Sequence, residues 1–321
     1  MDSLPRPFDT CLSPDGQRLA LPAMRAALVP YLQALHVDDC AYVNRAVALQ
    51  PNDEERDAMQ RQMALEGYYL FRARHRWRGH PLQAMAQAVR RLAHAGIPPV
   101  FIFLADEAWL LYGRLKPVVN AALGGEDYWL LPDFWAWHVD PSAGEAGWNL
   151  HRDLGARSMT DAGLPGALSI WIPLVKVDSH TGCMMLVPRN RDPGHQDDVV
   201  DAAAVPLADI RALQGEAGDV MIWSQSLLHW GSRGSLLCTQ PRISLSIAVQ
   251  RRSLPAFNPP LLNPDVLPGA GLRLELIGKQ LLQYGTAGGV PPSWQMLGRW
   301  LLGSGLSGLH YDLPPAWRLP A

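Results

Sequence analysis

Up to about residue 123, apolar positions recur mostly at helical spacing, and afterwards the period changes. Residues 24–35 form a first apolar, periodic stretch. Asn52-Asp53 supplies a cap and an acidic first turn for a helix running to about Leu65. Pro81 opens another helix that ends at Gly96 ahead of Pro98-Pro99, with proline inside the start and glycine past the end. Asp106 is expected to cap a further helix reaching Leu123, stopped by Gly124-Gly125. From Tyr128 to Val249 short β-rich segments alternate with Gly, Pro, Asn and Asp. Strands are predicted at 128–131, 134–139, 168–175, 184–187, 219–223 and 242–249. Closely spaced strands without a helix between each pair indicate an antiparallel barrel or sandwich, not a doubly wound sheet. Beyond Arg251 the chain is proline-rich, then helical again around 272–282 and 294–302. The expected layout is one domain: a helical N-terminal region (1–125), a β core (126–252) and a Pro-rich and helical C-terminal region (253–321).

Composition adds limits. Of 321 residues 48% are hydrophobic and 18% charged, ample for a buried core and unlike a disordered chain. The 28 Lys and Arg against 30 Asp and Glu, without a run of like charge, favour neither a nucleic-acid surface nor an anionic membrane patch. Cys11, Cys40, Cys183 and Cys238 are scattered without CxxC spacing, so neither a disulfide framework nor a thiolate zinc site is expected. No basic-then-apolar leader opens the sequence, and no apolar run approaches the roughly 18 residues that span a bilayer. The expectation is a soluble, cytoplasmic protein.

His151-Arg152-Asp153 puts an imidazole and a carboxylate two residues apart, on one face if the segment is extended. With a second imidazole they make the donor set of non-haem iron(II) sites, which leave coordination positions open. His229, in a turn after the predicted strand at 219–223, is the best third ligand. His138-Val139-Asp140 is a rival pair, although a histidine that is structural or substrate-facing before the turn at Asp140-Pro141 accounts for it. In residues 242–249, Ile243, Leu245, Ile247 and Val249 form an apolar face, while Arg242, Ser244, Ser246 and Ala248 form a small polar one. That aims Arg242 and Ser244 inward together, where arginine grips a carboxylate bidentately and serine adds a hydrogen bond. Trp135, Trp137, Trp148 and Trp230 read either as packing or as a pocket for an aromatic or long apolar substrate. Arg152, Arg157, Arg189 and Arg233 are candidates for a substrate carboxylate or phosphate.

Five stretches in order resemble the phytanoyl-CoA dioxygenase-like family of Fe(II)/2-oxoglutarate-dependent oxygenases. They are Gly147-Trp148-Asn149-Leu150-His151-Arg152-Asp153-Leu154, Leu168 to Leu174, Thr181 to Pro188, Gly218 to His229, and Pro241-Arg242-Ile243-Ser244. The resemblance implies a double-stranded β-helix (jelly roll, cupin-like) core flanked by helices, with His151, Asp153 and His229 as metal ligands. It implies that Arg242, beside Ser244, holds the distal carboxylate of 2-oxoglutarate and that Trp171 lines the co-substrate pocket. It also selects the metal pair, because the family's tryptophan-bearing strand follows His151 and not His138. Arg189-Asn190-Arg191 departs from the family's usual Gly-Ser-His, a change that bears on substrate. A carboxylate at Asp153 favours hydroxylation over halogenation. The expected reaction is hydroxylation of an unactivated C–H of a small molecule with O2, releasing succinate and CO2; desaturation or ring closure stays open. Trp137, His138, Trp148 and Arg233 are the expected substrate-facing residues. Rival readings are a metal-dependent cupin-like enzyme without 2-oxoglutarate, and a non-catalytic small-molecule-binding jelly roll.

Overall fold

Two antiparallel sheets hold the centre of the computed structural model, which describes residues 20–303 and 305 without 45, 196, 197, 199, 286 and 287. Cys11 therefore lies outside the described residues. The strands are β1 (Tyr68–Phe71), β2 (Tyr128–Val139), β3 (Ala167–Pro173), β4 (Met184–Leu186), β5 (Arg211–Leu213), β6 (Val220–Ser224), β7 (His229–Gly231) and β8 (Arg242–Arg251). One sheet runs β1-β6-β3-β8-β2 and the other β5-β4-β7. The two are layered as an open jelly roll and do not close into a barrel.

Alternation along the strands sets what each face meets. Ile170, Ile172, Val220, Ile222, Ile243, Leu245, Ile247 and Val249 join the larger core under the helices, whereas Trp171, Met221 and Trp223 pack inward with Met184 and Leu186 of the second sheet. The two strands predicted at 128–131 and 134–139 are one, with a register shift between Leu130 and Phe134. Pro132 has no amide proton for the ladder, so the break falls there. The last turns of a C-terminal helix satisfy it. The Pro132 carbonyl accepts from Gln280 Nε2 at 2.9 Å and Lys279 Nζ at 3.2 Å, and the Phe134 amide donates to Gln280 Oε1 at 3.1 Å.

The helices are α1 (Ala20–Leu28), α2 (Cys40–Val43), α3 (Asp53–Leu65), α4 (Leu82–His94), α5 (Asp106–Gly113), α6 (Lys116–Ala122), α7 (Ala270–Gln283) and α8 (Pro292–Gly303). Asn52 caps α3 in a reciprocal box with Glu55, as its sequence predicts. The predicted helix from Asp106 to Leu123 is instead two helices broken at Arg114-Leu115. Pro117, near the start of α6, cannot continue a preceding helix. Nor does Asp106 act as a cap. Its buried carboxylate pairs with Arg273 Nη1 of α7 at 2.6 Å and accepts the amides of Asp38 and Asp39. Strand β1 emerges from the stretch expected to be helical, and β5 and β7 are three-residue strands absent from the prediction. Among the described residues no helix is long and apolar enough to cross a membrane.

Candidate active site

His229 opens β7, and His151 meets it across a single antiparallel bridge, with reciprocal backbone hydrogen bonds of 3.1 and 3.0 Å. This bridge brings the two rings to 4.3 Å between centroids. Asp153 Oδ1 lies 3.4 Å from His151 Nε2 and 3.6 Å from His229 Nε2. Among the described residues these three form the one group whose donor atoms, all within 4.8 Å of one another, could share an ion.

The local bonding tunes each donor. His151 Nδ1 contacts the Asn149 carbonyl at 2.6 Å and His229 Nδ1 the Leu227 carbonyl at 3.1 Å. A carbonyl only accepts, so each Nδ1 carries the proton and each Nε2 keeps its lone pair for a metal. Asp153 Oδ2 accepts from Ser169 Oγ at 2.6 Å, and that hydroxyl in turn accepts from Gln225 Nε2 at 3.2 Å, so Oδ1 is left for the ion. Burial acts to raise the Asp153 pKa, but His229, His151 and the Ser169 hydroxyl outweigh it and hold the carboxyl at about 2. Burial opposes a charged His151 ring, yet Asp153 prevails and raises its pKa; at His229 burial prevails and lowers it.

A narrow cavity of about 50 Å³ opens from the three donors to Arg242, with Trp171, Trp223, Gln225 and Ser246 in its walls. Four of its buried polar atoms have no hydrogen-bond partner: His151 Nε2, Trp223 Nε1, Gln225 Oε1 and Arg242 Nε. Buried polar atoms are seldom left unpaired, so their convergence on one space marks a polar ligand site. The donor set, with His151 Nε2 in it, fits a divalent iron, and the indole N–H of Trp223 and the guanidinium of Arg242 fit a small dianion beside it. Arg242 is 1% exposed, and burial lowers its pKa to about 10. Nη1 donates to the Gly182 carbonyl. Gly147 and Gly231 pass so close to the guanidinium that a Cβ on Gly231 would stand 2.9 Å from Nη2. Ser244 shares that face of β8, and its hydroxyl is buried without a partner, but Ser246 and not Ser244 lines the cavity.

A larger vestibule of about 1020 Å³ lies outside, reached past Asp133, Trp137, Trp148 and Tyr284, which line both spaces. Trp148 stacks at an angle on Tyr284 at 4.7 Å, and Trp135 meets Tyr284 edge-on at 5.2 Å. His138 also lines the vestibule, set edge-on to His94, while Asp140 caps the short turn Pro141–Ala143. Arg233 is exposed on the loop after β7 and lines neither space. Arg152 points away from the ion position and pairs with Asp192 at 2.7 Å, and Arg189 donates to the carbonyls of Gly163 and Ala64. Ser169, Gln225, Gly147, Gly231, Asp133 and Tyr284 were not among the sequence candidates. Ser169 carried a signal, because it shares the inward face of β3 with Trp171; Tyr284, just past α7, carried none.

No curated protein matches the chain. Solved structures resemble it in fold. The apo form of the non-haem monooxygenase ThoJ aligns at TM-score 0.50 with 13% identity, covering 76% of this chain and 99% of its own. AviO1 from Streptomyces viridochromogenes Tue57 aligns at 0.49 with 18% identity over 64% and 99%. The epimerase SnoN, in complex with Fe3+, α-ketoglutarate and nogalamycin RO, aligns at 0.49 with 17% identity over 66% and 94%. A sequence model of the phytanoyl-CoA dioxygenase family matches residues 43–234, ending before Arg242. More than half of the chain and all three donors fall within that match, and the chain belongs to the phytanoyl-CoA dioxygenase family.

Proposed function

We propose that this chain is a non-haem Fe(II)- and 2-oxoglutarate-dependent dioxygenase that hydroxylates an unactivated C–H of a small molecule, releasing succinate and CO2. The observation that carries the reading is the convergence of three metal donors and the unpaired Arg242 Nε on one buried cavity. When bound, iron(II) with 2-oxoglutarate supplies dioxygen activation and C–H oxidation coupled to loss of CO2 from the co-substrate. His151, Asp153 and His229 would hold the iron, and their hydrogen bonds to Asn149, Ser169 and Leu227 fix the orientation of each donor. Arg242 would take the far carboxylate of the co-substrate as a charge-assisted pair, which compensates the burial that now depresses its pKa. Trp171 closes the wall beside it, and Ser244 backs the same face of β8. Trp137 and Trp148 narrow the passage to the vestibule and limit water at the reacting centre.

Anaerobic titration tests the reading. Iron(II) and 2-oxoglutarate together should give a visible charge-transfer band that neither gives alone, and Asp153→Ala should abolish both the band and succinate formation. A band-free wild-type protein, or an Asp153→Ala variant forming succinate at the wild-type rate, would refute it.

A further inference from the structure

The vestibule has a chemical character that the metal site does not dictate. Its wall next to the inner cavity combines the aromatic faces of Trp135, Trp148 and Tyr284 with the carboxylate of Asp133. Asp133 is built into place. The Tyr284 hydroxyl and Gln283 Nε2 (3.1 Å) both donate to its Oδ1, and the β2 bulge at Pro132 turns this stretch of chain toward the cavity. Lys279, whose charge acts on Asp133, also donates its ammonium to the Pro132 carbonyl and to the oxygens of Asn258 and Gln283. Burial first, and then the charge of Asp153, push the Asp133 carboxyl up to about 7 while the Lys279 charge opposes that rise, so a further positive charge would favour the ionised carboxylate.

The cationic side chains around the vestibule point the same way. Arg152 is locked to Asp192 and to the Ser226 carbonyl, Arg189 is taken by backbone carbonyls, and Arg233 lies elsewhere. Arg157 remains, exposed, against Asp133 and Glu145 among the lining carboxylates. A coenzyme A thioester brings several phosphate charges and needs a cluster of Arg and Lys to meet them. Among the described residues this lining does not provide one. A carboxylate flanked by aromatic faces is instead the surrounding that a desolvated ammonium seeks, through ion pairing and cation–π attraction.

Resting on the oxygenase reading above, we propose that the substrate is a bulky ring-bearing amine, held as its ammonium by Asp133 against the Trp135–Trp148–Tyr284 wall, and not an acyl-coenzyme A. The size of the vestibule suits a drug-sized molecule. The amine then sits at the passage, and the carbon to be oxidised reaches past it toward the donors.

The test uses protein loaded anaerobically with iron(II) and 2-oxoglutarate. Three probes of one shape, 4-phenylbutylamine, 4-phenylbutanol and 4-phenylbutanoate, are titrated with tryptophan fluorescence as the readout, and palmitoyl-coenzyme A is the fourth ligand. The amine should bind about tenfold tighter than the alcohol, as expected for one desolvated ion pair with an aromatic contact. The acid and the thioester should bind more weakly than either. Asp133→Asn should bring the amine-to-alcohol ratio close to one, and Tyr284→Phe should lower it partially. Equal binding of amine and alcohol to the wild type, or tightest binding of the thioester, overturns the proposal even if neither variant folds. The charge-transfer band separates the two claims. A protein that forms the band without preferring the amine remains an oxygenase with a different substrate, and one that forms no band fails the earlier reading.

Discussion

Ser169 touches no ion position, yet it fixes which oxygen of Asp153 is offered to the metal. Removing its hydroxyl leaves Oδ2 free to compete or rotate, and loss of such an outer partner typically weakens metal affinity about 10- to 100-fold. Ser169→Ala should therefore show a weaker iron(II) affinity in competition with a chelator while its unfolding midpoint stays close to wild type. Equal chelator competition for the two proteins would show that the Ser169 bond is incidental. Gly231 poses a different constraint. A methyl group there would push on both guanidinium nitrogens of Arg242, 2.9 and 3.1 Å from the added carbon. The Gly231→Ala protein should have a KM for 2-oxoglutarate raised about tenfold or more, the loss of one well-aligned charge-assisted bond, with metal affinity little changed. The grouping of His151, Asp153 and His229 was legible only through the family resemblance, because His138 and Asp140 stand two apart as well. Gly231 was not legible, since its close neighbour Gly147 is remote in sequence and the two meet only in the fold.

Among the elements, the join between α5 and α7 depends on a buried charge. Arg273 and Asp106 are both 0% exposed, and the guanidinium also donates to the Leu104 and Pro268 carbonyls. Asp106→Ala strands that charge, a change that costs about 3–5 kcal/mol in comparable sites. Asp38, 3.8 Å from Arg273 Nη2, offsets part of it, so the lower end is expected in urea denaturation. A loss under 1 kcal/mol would mean that Asp38 replaces Asp106 fully. This pairing is what defeated the sequence reading of Asp106 as a cap: an aspartate before an apolar run carries the same local signature whether it bonds its own helix or one 167 positions later. Strand β8 shows the opposite case. Its alternation from Arg242 to Val249 is strict, because one face lies under helices and the other faces the second sheet, and it was readable from residue types alone. The three-residue strands β5 and β7 were too short for any period to show.

For the molecule as a whole, Asp133 couples stability to pH. Its folded pKa, pushed up to about 7 mainly by burial, exceeds the roughly 3.9 of an unfolded aspartate. Between those values the fold holds a proton that the unfolded chain has released, so stability falls as pH climbs from about 4 to 7 and stays lower above that. Lys279, lowered by burial to about 8, acts in the opposite sense and only at higher pH, as the unfolded lysine loses its proton near 10.4. Metal-free Asp133→Asn protein should match wild type near pH 4.5 and exceed it in urea denaturation at pH 7.5; parallel curves would exclude Asp133 as the source. Jelly-roll architecture could be read without coordinates, whereas the vestibule could not, because its walls come from β2, the 145–157 segment, Phe257 and Asn258, and Gln283, Tyr284 and Gly288. That composite wall has a consequence for how such a protein can change. Asn258, Gln283 and Tyr284 belong to a stretch that supplies no metal donor, so substitutions there can alter which molecule is admitted while the oxidising centre stays intact. Selectivity and reactivity are thus separately adjustable, and a chimera exchanging only residues 253–303 should acquire a new substrate range while keeping its iron and co-substrate affinities.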